Sequence, residues 1–131
     1  SRIGTGLAVM ESFSLVFNER PKAKARPRAT KTGHVYTPKT TAEAEKRIAA
    51  AWEEADGPMF EGPLEVYLVY SPDGAVVTVN QSPHSAKTLT GDIDNYVKLT
   101  CDALNGVAWE DDKQIVRLMA VKVDRFDNSK P

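Results

Sequence analysis

PLEVYLVYSPDGAVVTVN, residues 63–80, reads as two strands around a tight turn. Residues 63–70 are rich in β-branched and aromatic side chains, which suit a pleated surface. Ser71-Pro72-Asp73-Gly74 is turn chemistry: proline presets φ early in the turn, and glycine suits its end. AVVTVN, 75–80, then returns as the hairpin partner. Outward from this hairpin, SFSLVFN at 12–18 alternates and is a further strand. Thr40-Thr-Ala-Glu43 has the form of a helix capping box, and Ala44, Ile48, Ala51, Trp52 and Ala55 recur at helical spacing until Gly57-Pro58. A second helix is expected from near Asp94, with Val97, Cys101 and Leu104 on its buried face and a stop at Asn105-Gly106. IVRLMAVKV, 115–123, is apolar on both faces and reads as a central strand. Stretches 20–39 and 81–91 read as loops. The order predicts an α+β fold: one small domain over 12–124, with two main helices packed on a mixed β-sheet, and tails at 1–11 and 125–131.

At 131 residues, with 41% hydrophobic and 27% charged residues, the chain is long enough for one folded domain and is not of disordered composition. No apolar run approaches the ~20 residues of a membrane span, so no membrane association is expected. No secretory segment is visible, and the single cysteine, Cys101, suits a reducing cytoplasm and reads as a core thiol. Met10 is taken as the natural start.

Net charge is −1, but the charges are segregated. Between Arg20 and Lys39 every charged residue is positive, including Lys22, Lys24, Arg26, Arg28 and Lys31. Between Asp92 and Asp112 the charges are acidic except for Lys98. One part suits a polyanion and the other a cation. In an extended chain Asp92 and Asp94 share a side and can share an ion. Mg²⁺, a hard cation, takes carboxylates, waters and phosphate oxygens. The competing reading is structural, with Asp94 as helix cap and Asp92 near the positive end of the helix dipole. Lys98 is one turn beyond Asp94. It serves either as an ion pair or as a cation that stabilises charge developing on a phosphate. Glu110, Asp111 and Asp112 form a second acidic run. Alternation alone does not choose between Asp111 and Asp112. Calcium-loop, zinc and glycine-rich phosphate motifs are absent: Tyr96 and Val97 stand where a calcium loop needs an acid or amide and a glycine, and the one cysteine and two histidines are far apart.

Asp92-Ile93-Asp94-Asn95-x-x-Lys98, Asp102-Ala-Leu-Asn105-Gly106 and Trp109-Glu-Asp111-Asp112-x-Gln114-Ile115 together resemble the RusA family of Holliday-junction resolvases, and Arg26-Pro-Arg28 with Tyr36-Thr-Pro38 resembles its phage-type members. The resemblance covers roughly 12–124. It implies a small α+β homodimer, in the cytoplasm of a bacterial or phage-infected cell. Such an enzyme cuts four-way DNA junctions by paired symmetric nicks, using Mg²⁺, with Mn²⁺ as a substitute. It implies Asp92, Asp94 and Asp112 as metal ligands and Lys98 as the essential basic residue, with Asn95 and Asp111 beside them. Lys22, Lys24, Arg26, Arg28 and Lys31 are expected to hold DNA. Many members carry Lys-Pro or Arg-Pro before the first aspartate, where this chain has Thr90-Gly91. Two alternatives stand: a non-catalytic nucleic-acid-binding module, and a metal-dependent nucleotidyl or glycosyl transferase.

Overall fold

A computed structural model describes residues 10–24, 28–29, 31–36 and 38–126. The elements in chain order are β1 (Ser12–Phe17), β2 (Arg28–Ala29), β3 (Val35–Tyr36), α1 (Lys39–Glu54), β4 (Leu64–Ser71), β5 (Gly74–Gln81), α2 (Ile93–Leu104) and a 3₁₀ turn, Asp112–Gln114. The chain gathers into two compact units, Ser1–Pro83 and His84–Pro131.

The first unit is built on a three-stranded sheet of order β1-β5-β4. The expected hairpin forms: β4 pairs antiparallel with β5, closing at Ser71↔Gly74. The turn is supported by the Asp73 amide, which donates to Ser71 Oγ at 3.2 Å. A Cβ on Gly74 would lie 2.3 Å from the Phe17 carbonyl oxygen, so only glycine lets β1 approach there. Phe13↔Val79, Leu15↔Val77 and Phe17↔Ala75 share one face, and Val79 is the buried aliphatic residue among those described. The opposite face carries Ser14 and Thr78, whose hydroxyls hydrogen-bond at 2.7 Å.

Helix α1 covers the apolar face at Phe13. The Trp52 ring meets Phe13 edge-on at 5.0 Å between centroids and lies 6.4 Å from Phe60, and its Nε1 donates to the Pro58 carbonyl at 3.1 Å. The expected capping box at Thr40 and Glu43 does not form. The helix starts earlier, with Pro38 at the cap position, and its carbonyl takes the Thr41 and Ala42 amides. Thr41 is buried inside the first turn, and Glu43 instead pairs with Lys39. Proline is tolerated at this place because the amide it lacks would have no partner within the helix. The helix ends in a Schellman motif: the Asp56 amide donates to the Glu53 carbonyl and that of Gly57 to the Trp52 carbonyl, with Asp56 at φ 57°.

The α+β class expected from the sequence holds, with two helices and a three-stranded sheet. Three details differ. Every described strand pair is antiparallel, where a mixed sheet was expected. Residues 20–39 are not all loop, because β2 and β3 form a short ladder with Gly33 at φ 90° between them. Residues 115–123 form no strand, although Val116 and Met119 have the expected apolar character. A strand exists only by ladder pairing, and among the described residues this segment has no ladder partner. Hydrophobic pattern reports compatibility with a pleated surface and not the presence of a neighbour.

Candidate active site

The acidic residues lie in the second unit, His84–Pro131. Helix α2 begins one residue before the place expected from the sequence, so Asp92 occupies the cap position and Asp94 the first turn. Asp92 and Asp94 therefore do not share a side by strand alternation, because the chain is already helical from Ile93. Both stand at the helix N-terminus, whose free amides and dipole favour negative charge. Asp92 makes no side-chain capping hydrogen bond. Asp94 and Lys98 do not pair with each other: the ion pairs among the described residues are Lys24–Glu45, Lys39–Glu43 and Arg47–Glu19. All three side chains are exposed and have no protein partner among the described residues. Asn95 and Lys98 line a shallow surface depression together with Leu99 and Asp102. Val97, Cys101 and Leu104 form the less exposed face of the helix, as its spacing predicted.

The second acidic run is divided by function. Asp111 caps the 3₁₀ turn: its Oδ1 accepts from the Lys113 amide at 2.8 Å, while Gln114 Oε1 accepts from the Asp111 amide at 2.9 Å. Asp112 is half-buried, and its Oδ1 accepts from Trp109 Nε1 at 2.6 Å. Asp111 and Asp112 are thus separated by a cap and a turn, not by the opposite faces of a strand. No group of three metal-donor side chains assembles among the described residues, so Asp112 does not join Asp92 and Asp94 in one cluster here. The donor chemistry nevertheless suits Mg²⁺, which is commonly held by one or two carboxylates with waters and substrate oxygens completing its shell.

The approach to Asp92 is held by residues that sequence reasoning missed. Asp124 Oδ1 accepts from the Lys87 amide (2.9 Å), the Thr88 amide (3.2 Å) and Thr88 Oγ1 (3.0 Å). The Thr88 amide, then the Thr88 hydroxyl, hold its carboxyl below the ordinary aspartate value against an opposing desolvation, with smaller help from Lys87. Lys122 Nζ donates to the carbonyls of Leu89 (3.3 Å) and Gly91 (3.0 Å). The Gly91 amide donates to Tyr96 Oη at 3.0 Å, and a Cβ at 91 would stand 2.8 Å from that oxygen. A proline at 91, as in the Lys-Pro pattern, has no amide to make this bond. Backbone acceptors leave no trace in sequence, so only the polar i,i+2 pair Lys122/Asp124 in an apolar stretch could have signalled this arrangement.

In the first unit, Lys24 pairs with Glu45 at 3.0 Å and both are exposed, a contact that a phosphate can replace at little cost. Lys22 and Lys31 are exposed. Arg28 opens β2, and Arg26 lies outside the described residues. Among the described residues no helix is long and apolar enough to cross a membrane.

The described residues form an α+β protein with Asp92 and Asp94 at the start of α2 and Lys98 one turn beyond Asp94. The family model of endodeoxyribonuclease RusA matches residues 19–129 of the 131, and the chain belongs to the RusA endodeoxyribonuclease family. No curated protein and no solved structure matches it significantly.

Proposed function

We propose that this protein is a Mg²⁺-dependent endonuclease that resolves Holliday junctions and related branched DNA. It would act as a homodimer in the cytoplasm of a bacterial or phage-infected cell and make paired symmetric nicks, with Mn²⁺ able to replace Mg²⁺. The observation that carries the reading is the pair Asp92 and Asp94 at the start of α2, with no protein partner among the described residues, inside a chain matched to this nuclease family over nearly its whole length. Asp92 and Asp94 neither cap through their side chains nor pair, so the helix dipole is their one structural interaction among the described residues, whereas Asp111, close by in sequence, caps its turn.

Asp92 and Asp94 would hold the ion, and Asp112 would contribute Oδ2, since Trp109 engages Oδ1. When bound, Mg²⁺ supplies Lewis acidity towards the phosphodiester and its attacking water. Lys98, one turn beyond Asp94, would balance the negative charge that grows on the phosphate as the nucleophile enters. Asn95 would offer an amide to the same surface. Lys22, Lys24, Arg26, Arg28 and Lys31 would bind DNA backbone. No side chain is needed as a covalent nucleophile.

The test is incubation of a synthetic four-way junction and a linear duplex with protein in Mg²⁺, Mn²⁺, Ca²⁺ or EDTA. Junction-selective, symmetric nicking in Mg²⁺ and Mn²⁺ alone is expected, and Asp94→Asn should bind the junction without cutting it. Cleavage that persists in EDTA, or that proceeds equally on linear duplex, would overturn the reading.

A further inference from the structure

Residues 85–91 carry no regular secondary structure, yet side chains engage backbone groups of Lys87, Thr88, Leu89 and Gly91. Asp124 accepts from the amides of Lys87 and Thr88, Lys122 donates to the carbonyls of Leu89 and Gly91, and Tyr96 accepts from the amide of Gly91. Two side chains on one short segment, two residues apart, therefore fasten both ends of the five-residue stretch that delivers the chain to Asp92. Charge assists each contact: a carboxylate meets donors, and an ammonium meets acceptors. Lys122 gives up rotamer freedom to make its contacts, a cost that an ordinary surface loop does not call for. The arrangement is explained if the residue next after the loop must stand in one place. Asp92 comes directly after Gly91, and its carboxylate has no protein partner among the described residues to orient it.

We propose that Lys122 and Asp124 are positioning residues for Asp92, acting through the backbone of residues 87–91; this rests on Asp92 serving as a metal ligand. Lys122 fixes the Gly91 carbonyl, hence the peptide plane that leads into Asp92. Asp124 fixes the far end of the loop, so that Lys122 draws against an anchored chain. Neither residue touches substrate. Tyr96, on the first turns of α2, ties the same glycine to the helix that carries Asp94 and Lys98, so all the reacting groups of this helix are referred to one peptide.

Mn²⁺ binding followed by paramagnetic broadening of the Asp92, Asp94 and Asn95 amide signals tests this without any need for cleavage. Lys122→Met and Asp124→Ala should each move the Mn²⁺ midpoint upward by roughly 10-fold, the ordinary effect of removing a group that orients a metal ligand. Lys122→Arg and Asp124→Asn, which keep a donor and an acceptor, should titrate close to the wild type. The Mg²⁺ concentration for half-maximal junction cleavage should shift in parallel, with junction affinity in Ca²⁺ unchanged. If Lys122→Met does not fold, Asp124→Ala carries the comparison. Wild-type midpoints in both disruptive variants would overturn the proposal, as would the absence of Mn²⁺ broadening at Asp92 in the wild type. A wild type that binds Mn²⁺ there but nicks no junction would overturn the nuclease reading alone, and the variant midpoints would still decide the positioning role.

Discussion

At the scale of single residues, Gly57 is a tight requirement of the first unit, second to Gly74. A Cβ there would stand 2.4 Å from the Trp52 ring, which is itself held by Phe13, Phe60 and the Pro58 carbonyl. The ring cannot move without giving up its contact with the sheet. Gly57→Ala is therefore expected to lower unfolding free energy by about 1–3 kcal/mol, the usual cost of forcing extra volume into a packed site. Urea denaturation measures it, and an unchanged midpoint would show that Trp52 relocates freely. From sequence, Gly57 was legible as a helix stop. Its role against Trp52 was not, because that depends on where the indole of the last turn folds back. The candidate site shows the same division. Asp92, Asp94 and Lys98 stand out in the sequence because acids and lysine lie in one short run, but the early start of α2, which removes the strand alternation expected for the two aspartates, was not legible. The bond from Trp109 to Asp112 is equally local, but no rule of periodicity announces it.

At the scale of elements, the 3₁₀ turn separates two neighbouring acids. Asp111 is committed to the cap and Asp112 to the indole, so their substitutions should behave differently. Asp112→Asn is expected to abolish nicking in Mg²⁺, whereas Asp111→Asn, which keeps a capping oxygen, should retain measurable activity. The reverse ranking in a junction-cleavage assay would exchange their roles. The loop before α2 should respond to acid. Because its hydrogen bonds hold Asp124 below the ordinary aspartate range, its contribution is complete above that range and is lost as pH falls through the depressed value. Amide exchange at Lys87 and Thr88 should accelerate over that acid window in the wild type and show no such step in Asp124→Asn; parallel profiles would contradict this. Elements were read unevenly for a physical reason. The hairpin, β1, α1 and α2 rest on local patterns of period 2 or 3.6. Segment 115–123 has the pattern of a strand without a described ladder, because pairing is a property of two segments.

At the scale of the whole molecule, the basic stretch and the acidic site belong to different compact units of one family-matched chain. Replacing Arg26 and Arg28 together by alanine should flatten the dependence of log K on log salt by roughly 1–2 units for all DNA forms. Identical slopes would mean that this stretch does not meet phosphate. The sheet itself carries a consequence in time. β4 meets β5 across a two-residue turn, but β1 meets β5 across most of the first unit, with Ser14 and Thr78 separated by 64 positions. Closing a short loop costs little entropy and closing a long one costs more before any contact rewards it. The hairpin is therefore expected to form early in folding and β1 to dock late. A substitution that weakens the Ser14–Thr78 contact should leave the refolding rate nearly untouched and speed unfolding, as stopped-flow chevrons would record. A slowed refolding limb would instead place β1 in the nucleus.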